Sequence, residues 1–462
     1  MSARRHTSRR QRNFLPRVQV SPLKALIFLA LCSPLFALIA TTTLPDAIAP
    51  TNPELALRLS PNHSKALLTK AEALRTKLLS LGNQEGKGET SARVENDTNH
   101  EDERSALRAQ IRQLALQVAK HDPLNSRALL LLAETSGNTE ETRALMTSAV
   151  ERSRRETAAV FWLLNDAMQR GDTEATLKYA EVLMRTRPEL NAYVLSQFGQ
   201  LGDNDEARKH LVAWLSEPRN AKLRRTVVMT LPDYVRDART PLKIMEGLTA
   251  AGLAPSSDEL KPYLNFLVRK NHVELAYFTW LQHLGPEGMK KAGNIFNAGF
   301  EDDTSGLPFD WQIAATRNAT AEIRRREDGE GRALQLRFGV GRVDQLRLSQ
   351  VLHISPGSYQ FTWRYKGEIT GKRGLRWRVT CLYPPNDALL ETPMFLGRQI
   401  EWASMEAVLT VPDRPNCRAQ TLALVHDARS PSEQLLSGEA WFDGLALTSM
   451  TTEAPTVEQP TK

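Results

Sequence analysis

The apolar residues change their period near residue 292, and that change limits the architecture more than any other feature of the chain. Upstream they recur at roughly every third or fourth position, as one face of an α-helix demands, in segments rich in Ala, Leu, Glu and Arg. Downstream they alternate with polar residues, and turns built on Gly, Pro, Asn and Asp arrive about every ten residues. The two patterns bury their apolar sides in different ways, so a helical part must hand over to a β part across Asn294–Ile313 (NIFNAGFEDDTSGLPFDWQI).

The β part reads strand by strand. Arg332–Phe338 puts Leu334, Leu336 and Phe338 on one face, and Gly357–Lys366 puts Tyr359, Phe361, Trp363 and Tyr365 on one face. Gly374–Tyr383 sets Leu375, Trp377, Val379, Cys381 and Tyr383 against Arg376, Arg378 and Thr380. Alternation of this kind predicts sheets with one buried and one wet face. Further strands are expected over Gln399–Val411, Ala419–His426 and Glu439–Thr448. Eight to ten strands suffice, in order of magnitude, for a two-sheet sandwich.

Several motifs in this part follow a known order. Asn297, Gly299, Phe300 and Glu301, followed by Pro308 and Trp311, match the Asn-x-Gly-Phe-Glu and Pro-x-x-Trp pattern of a first strand. An Ala-Leu-x-Leu strand, then Leu348-x-Gln350-Val351-Leu352, Pro356-Gly357-x-Tyr359 and a closing Trp441-Phe442-Asp443 come after it. In this, residues 292–449 resemble the jelly-roll carbohydrate-binding modules. The resemblance implies glycan binding and a structural calcium tying the first strand to the last, with Glu301 and Asp443 at the matching positions. Calcium takes about six to eight oxygen ligands, so backbone carbonyls would have to complete that site. A Glu capping a turn and an Asp bonded to backbone N–H is the simpler alternative.

The helical part covers residues 52–81 and 105–291, divided by a segment almost without apolar residues, 82–104, expected to be a flexible insert. Three turns recur within it: Gly137-Asn138-Thr139-Glu140, Gly171-Asp172-Thr173-Glu174 and Gly202-Asp203-Asn204-Asp205-Glu206. In each, Gly suits a helix end, Asn or Asp suits a cap, and Glu suits the first turn of the next helix. The second helices carry Leu145, Ala149 and Val150; Leu177, Ala180 and Leu183; and Ala207, Leu211 and Leu215. The spacing is similar to that of tetratricopeptide repeats, which implies an α-solenoid; an irregular helical bundle is the alternative.

Residues 1–24 carry seven Lys or Arg and no acid, which accounts for the whole net charge of +7 and leaves the body neutral. A neutral body argues against nucleic acid as a partner. Ala25–Leu44 is apolar and about long enough to span a bilayer, so a single-pass inner-membrane anchor with a cytoplasmic N-terminus and periplasmic bulk is expected. A cleaved signal peptide is the rival. Export would place Cys381 and Cys417 where pairing is favoured, with two separate buried thiols as the alternative. Residues 450–462 are expected to be a disordered tail.

No HExxH, GxSxG, Walker loop or Cys-x-x-Cys occurs, so a non-enzymatic protein is expected. The wet faces of the strands offer Arg364, Lys366, Arg376 and Arg378 as one basic patch for an acidic polysaccharide, since a guanidinium grips a carboxylate with two parallel hydrogen bonds. Arginines merely paired with nearby acids are the alternative. The whole, α then β, is similar to membrane-bound accessory proteins of bacterial exopolysaccharide assembly: a scaffold with a solenoid for protein partners and a jelly roll for glycan. A glycan-cleaving or glycan-modifying enzyme is the other function to weigh.

Overall fold

The computed structural model describes residues 32–34, 37, 43–84 and 93–450, except 315, 384, 386 and 387. The chain divides into two compact units at Pro188/Glu189.

The first unit is helical: α1 (Leu44–Ile48), α2 (Pro53–Leu59), α3 (Ser64–Gln84), α4 (Arg93–His121), α5 (Ser126–Glu134), α6 (Thr139–Arg152), α7 (Thr157–Gln169) and α8 (Thr173–Thr186). From α3 to α8 each helix packs chiefly on its immediate neighbours in the chain. Apolar faces do this work, with Ala71, Ile111, Ala115 and Leu131 closing one cluster and Leu67, Val118 and Ala128 another. The recurring turns are caps: the Asn138 side-chain amide oxygen accepts from the Glu140 and Glu141 N–H groups, and the Asp172 carboxylate accepts from the Ala175 N–H. Each such cap stabilises its helix by about 1 kcal/mol. Gly171 has a φ of 69°, so it ends its helix in the left-handed region as expected. Gly202 does something else. It lies inside a helix, where a Cβ would stand 2.5 Å from the Thr240 methyl, so it permits close helix packing.

Two expectations change. The segment 82–104 is not wholly an insert: α4 begins at Arg93, and only 85–92 lie outside the described residues. Charge pairs support this apolar-poor turn of helix, with Arg108 3.0 Å and Arg104 3.6 Å from Glu101, and Lys77 of α3 2.7 Å from Glu103. The inner-membrane, single-pass location is also corrected. No helix among the described residues is long and apolar enough to cross a membrane. Most of 25–44, with all of 1–24 and 451–462, lies outside the described residues, and Leu44 opens a helix of only five residues.

The second unit begins with six helices: α9 (Asn191–Asp203), α10 (Asp205–Ser216), α11 (Ala221–Thr230), α12 (Thr240–Ala250), α13 (Ser257–Arg269) and α14 (Val273–Lys290). Asn204 caps α10, and Ser256 with Glu259 forms a reciprocal capping box on α13. Ten strands follow: β1 (Gln312–Ala314), β2 (Ala319–Arg325), β3 (Arg332–Phe338), β4 (Arg347–Leu352), β5 (Gly357–Gly371), β6 (Leu375–Cys381), β7 (Ala388–Glu391), β8 (Gly397–Val411), β9 (Gln420–His426) and β10 (Leu436–Ser449). They form two antiparallel sheets, β1-β4-β9-β6-β7 and β2-β3-β10-β5-β8, packed as a sandwich. Trp311, Phe361, Trp363, Trp377 and Phe442 fill the space between them, each fully or almost fully buried. The stretch 294–311 is a run of turns rather than a strand, because Asn297 and Phe300 both adopt positive φ. Cys381 and Cys417 are joined by a disulfide, with Cα atoms 4.9 Å apart.

Helices and sandwich meet within this unit through rings. Tyr277 and Trp280 of α14 lie 5.3 and 5.6 Å from Phe309, and Trp280 lies 5.1 Å from Phe296. Tyr383 donates from its hydroxyl to the Val268 carbonyl at 2.7 Å.

Burial holds the imidazoles of His283 and His426 below their ordinary value. A histidine of lowered folded pKa costs nothing above its unfolded value of about 6.5 and destabilises progressively as pH falls below it. The Tm should therefore drop as pH is lowered from 7 toward 5.5, and the His283→Gln/His426→Gln variant should show a shallower drop. An equally steep profile in that variant would refute the assignment.

Candidate functional site

Alternation decides which side chains of a strand face outward, and strand pairing decides which of them meet. On β5 the buried series Tyr359, Phe361, Trp363 and Tyr365 leaves Arg364 and Lys366 on the outer face. β10 sets Trp441 opposite Lys366 and Asp443 opposite Arg364. On the other side of β5, β8 pairs Ala403 with Tyr365 and Ser404 with Arg364, which brings Trp402 to the outer face beside them. β3 extends this face with Gln335 and Arg337, opposite Trp441 and Glu439. Trp402 and Trp441 are both half-buried, so each ring keeps some exposed surface on a polar sheet face.

A buried ion cluster underlies one side of this face. Arg326, in the turn after β2, has a side chain only 4% exposed. It donates to Asp443 Oδ2 at 2.9 Å, to Asp328 and to Glu330 at 3.3 Å. Its guanidinium carbon lies 4.6 Å from the centre of the Trp402 ring, and that of Arg364 lies 5.1 Å from it. Burial pushes the Asp443 carboxyl up from its ordinary value, while the Gly444 N–H and the two guanidinium groups pull against that rise. Glu439 accepts from Gln335, Trp441 and Arg337 and stays below the usual carboxylate value despite its partial burial.

Glu301 and Asp443 do lie near one another, about the backbone of Gly299. Their oxygens are engaged elsewhere. Glu301 accepts from the Arg332 N–H at 3.1 and 3.2 Å, and Asp443 accepts from Arg326 and from Gly444 N–H. Among the described residues no group of three or more His, Cys, Asp or Glu could hold a metal ion. Each carboxylate thus already has hydrogen-bond partners, and Asp443 is balanced by the Arg326 guanidinium.

The four basic residues expected to act together are divided between the sheets. Arg364 and Lys366 lie on the outer face of β2-β3-β10-β5-β8, whereas Arg376 and Arg378 lie on β6 of the other sheet. The outer faces of a sandwich look in opposite directions. Arg376 and Arg378 are also clamped, at 2.8 and 2.7 Å from Glu391 and at 3.0 and 3.3 Å from Asp427. The two tryptophans were missed by sequence reading. The signal was available: Trp402 is out of step with Ala403, Met405, Ala407 and Leu409, and Trp441 is out of step with Ala440 and Phe442.

No family model matches the chain, and no curated protein does. Solved structures do align with its sandwich. An arabinose-bound α-L-arabinofuranosidase is 11% identical over 34% of this chain and 26% of its own, with a TM-score of 0.27. The chain thus spans about a quarter of that enzyme. A carbohydrate-binding module in complex with β-1,4-galactotriose is 17% identical over 34% of this chain and all of its own, with a TM-score of 0.23. The N-terminal cellulose-binding domain of a Cellulomonas fimi β-1,4-glucanase is 18% identical over 35% of this chain and 99% of its own, with a TM-score of 0.22.

Proposed function

We propose that the outer face of β2-β3-β10-β5-β8 binds polysaccharide, without catalysing its cleavage. The observation that carries this is the placement of Trp402 and Trp441 on either flank of Lys366 and Arg364. An indole face offers a flat apolar surface to the C–H face of a sugar ring, and the surrounding Gln335, Glu439, Arg364 and Lys366 offer hydrogen bonds to its hydroxyls or carboxylates. Trp441→Ala should weaken retention on the polysaccharide that the wild type binds by about tenfold, since a central aromatic anchor is worth at least that much. Affinity electrophoresis against a panel of neutral and acidic polysaccharides measures it. Unchanged retention in Trp441→Ala would remove this face. Release of reducing ends from a retained polysaccharide would favour the enzyme instead.

The wider role we propose is a scaffold in polysaccharide assembly or export, with the helices holding a protein partner. What supports it is the pairing of a helical part with a sandwich in one chain. Cells in which Trp441→Ala replaces the wild type should then secrete less polysaccharide at unchanged protein level.

A further inference from the structure

We infer that a second site, separate from that sheet face, takes a carboxylate-bearing oligosaccharide where the helices meet the sandwich. A cleft of about 840 Å³ opens there, within the range of roughly 300–1,000 Å³ usual for small-ligand sites. Its walls come from three places: the segment Arg236–Arg239 before α12, the turn Asn271–Leu275 with Phe278 of α14, and Pro415 and Arg418 between β8 and β9.

Each wall is fixed by a contact behind it. The buried Tyr263 donates its hydroxyl to the Ala238 carbonyl at 2.8 Å. Asn271 sits in the left-handed region at φ 61°, locked by the His272 N–H donating to the Leu267 carbonyl at 2.8 Å. The sandwich wall is tied by the Cys381–Cys417 disulfide and by His353, whose Nδ1 lies 3.1 Å from the Arg418 carbonyl. Such a cleft is set before a ligand arrives, which lowers the cost of binding.

The chemistry of the lining is specific. Arg236 and Arg239 are exposed and have no carboxylate within 4 Å among the described residues. Among the described residues Arg418 pairs only with the exposed Glu274, 3.4 Å away, a pair too wet to occupy it. Asp237 accepts from the Arg239 N–H at 2.9 Å and lies 3.9 Å from Lys243, so its charge is met from its own side of the cleft. Phe278 is 59% exposed, an apolar ring displayed beside three guanidinium groups. Guanidinium forks suit carboxylates and an exposed ring suits the flat face of a sugar, so a uronic-acid oligomer satisfies both. An acidic peptide satisfies only the first. It would gain from apolar pockets or an unpaired strand edge, and the walls here are helix ends and a turn.

Calorimetric titration of the full chain with a short oligogalacturonate tests this, with oligoglutamate of matched charge as the second ligand. The wild type should bind oligogalacturonate with an affinity that falls with salt. Arg236→Ala/Arg239→Ala and Phe278→Ala should each weaken it about tenfold or more. The binding that those variants lose should persist in Trp441→Ala, whose own loss is confined to the sheet face. Arg236, Arg239 and Phe278 are exposed, and an unaltered Tm verifies the fold; Arg236→Glu is the second variant should the double one melt early. The proposal is overturned if the wild type does not bind oligogalacturonate, if the arginine variants bind as the wild type does, or if oligoglutamate binds as tightly. Loss of retention on polysaccharide in Trp441→Ala with the cleft still binding separates the two sites. Binding at the cleft with no polysaccharide retained by the sheet face would remove the face and leave the cleft.

Discussion

Arg326→Met is expected to destabilise the second unit by about 3–5 kcal/mol, the usual cost of stripping one partner from a buried ion pair. The guanidinium is 4% exposed and balances Asp443, whose own side chain is 10% exposed, along with Asp328 and Glu330. Without it the buried Asp443 carboxylate keeps only the Gly444 N–H at 2.7 Å and the Arg364 guanidinium at 3.7 Å among the described residues. Most of the loss should return in Arg326→Met/Asp443→Asn, which removes the orphaned charge as well. Urea denaturation of the two variants and the wild type measures both steps. A single-variant loss below about 1 kcal/mol, typical of exposed pairs, would mean that water already screens the cluster.

Removing the Cys381–Cys417 bridge should cost about 4 kcal/mol in the chain-entropy account, because it closes a loop between residues 36 apart. Both cysteines are buried, at 1% and 2% exposure, so Cys381→Ala/Cys417→Ala leaves small apolar groups in place and isolates the bridge. Its Tm should fall well below that of the oxidised wild type and should no longer respond to reductant. A wild type indifferent to reductant under conditions that open the bridge would contradict this. Since Cys417 lies in the Pro415–Cys417 turn beside Arg418, the same variant should also bind oligogalacturonate more weakly.

The strands were the most legible part of the sequence, because a face that excludes water imposes strict alternation on its residues. Arg332–Phe338 and Gln399–Val411 come out nearly residue for residue. The site was less legible for a related reason. Alternation tells that Arg364 and Arg376 both point away from the core, but it does not tell which sheet each strand joins. β5 and β6 follow one another in the chain and join different sheets, so a patch drawn across both comes apart. Turns were harder still. Asn297, Gly299, Phe300 and Glu301 match a first-strand motif of the modules they resemble, yet Asn297 bonds through its side chain to the Asp302 N–H and carbonyl and folds the segment on itself. The early part of α4 is not legible as helix because residues 93–104 carry almost no apolar stripe, and charge pairs at Glu101 support the helix there.

The ring seam between α14 and the sandwich has a consequence for how this β part can be handled or inherited. Phe309, 2% exposed, is covered by Tyr277 and Trp280, and His353 by Tyr277 at 5.0 Å. A cut at residue 292, where the periodicity changes, would bare Phe296 and Phe309 to water and leave the Tyr383 hydroxyl without Val268. The sandwich is therefore not a cassette that can be lifted out whole or dropped into another gene. A piece that keeps this seam closed has to begin upstream of Val268 and Tyr277, so any shuffling of this β part between proteins would have to carry α13 and α14 along.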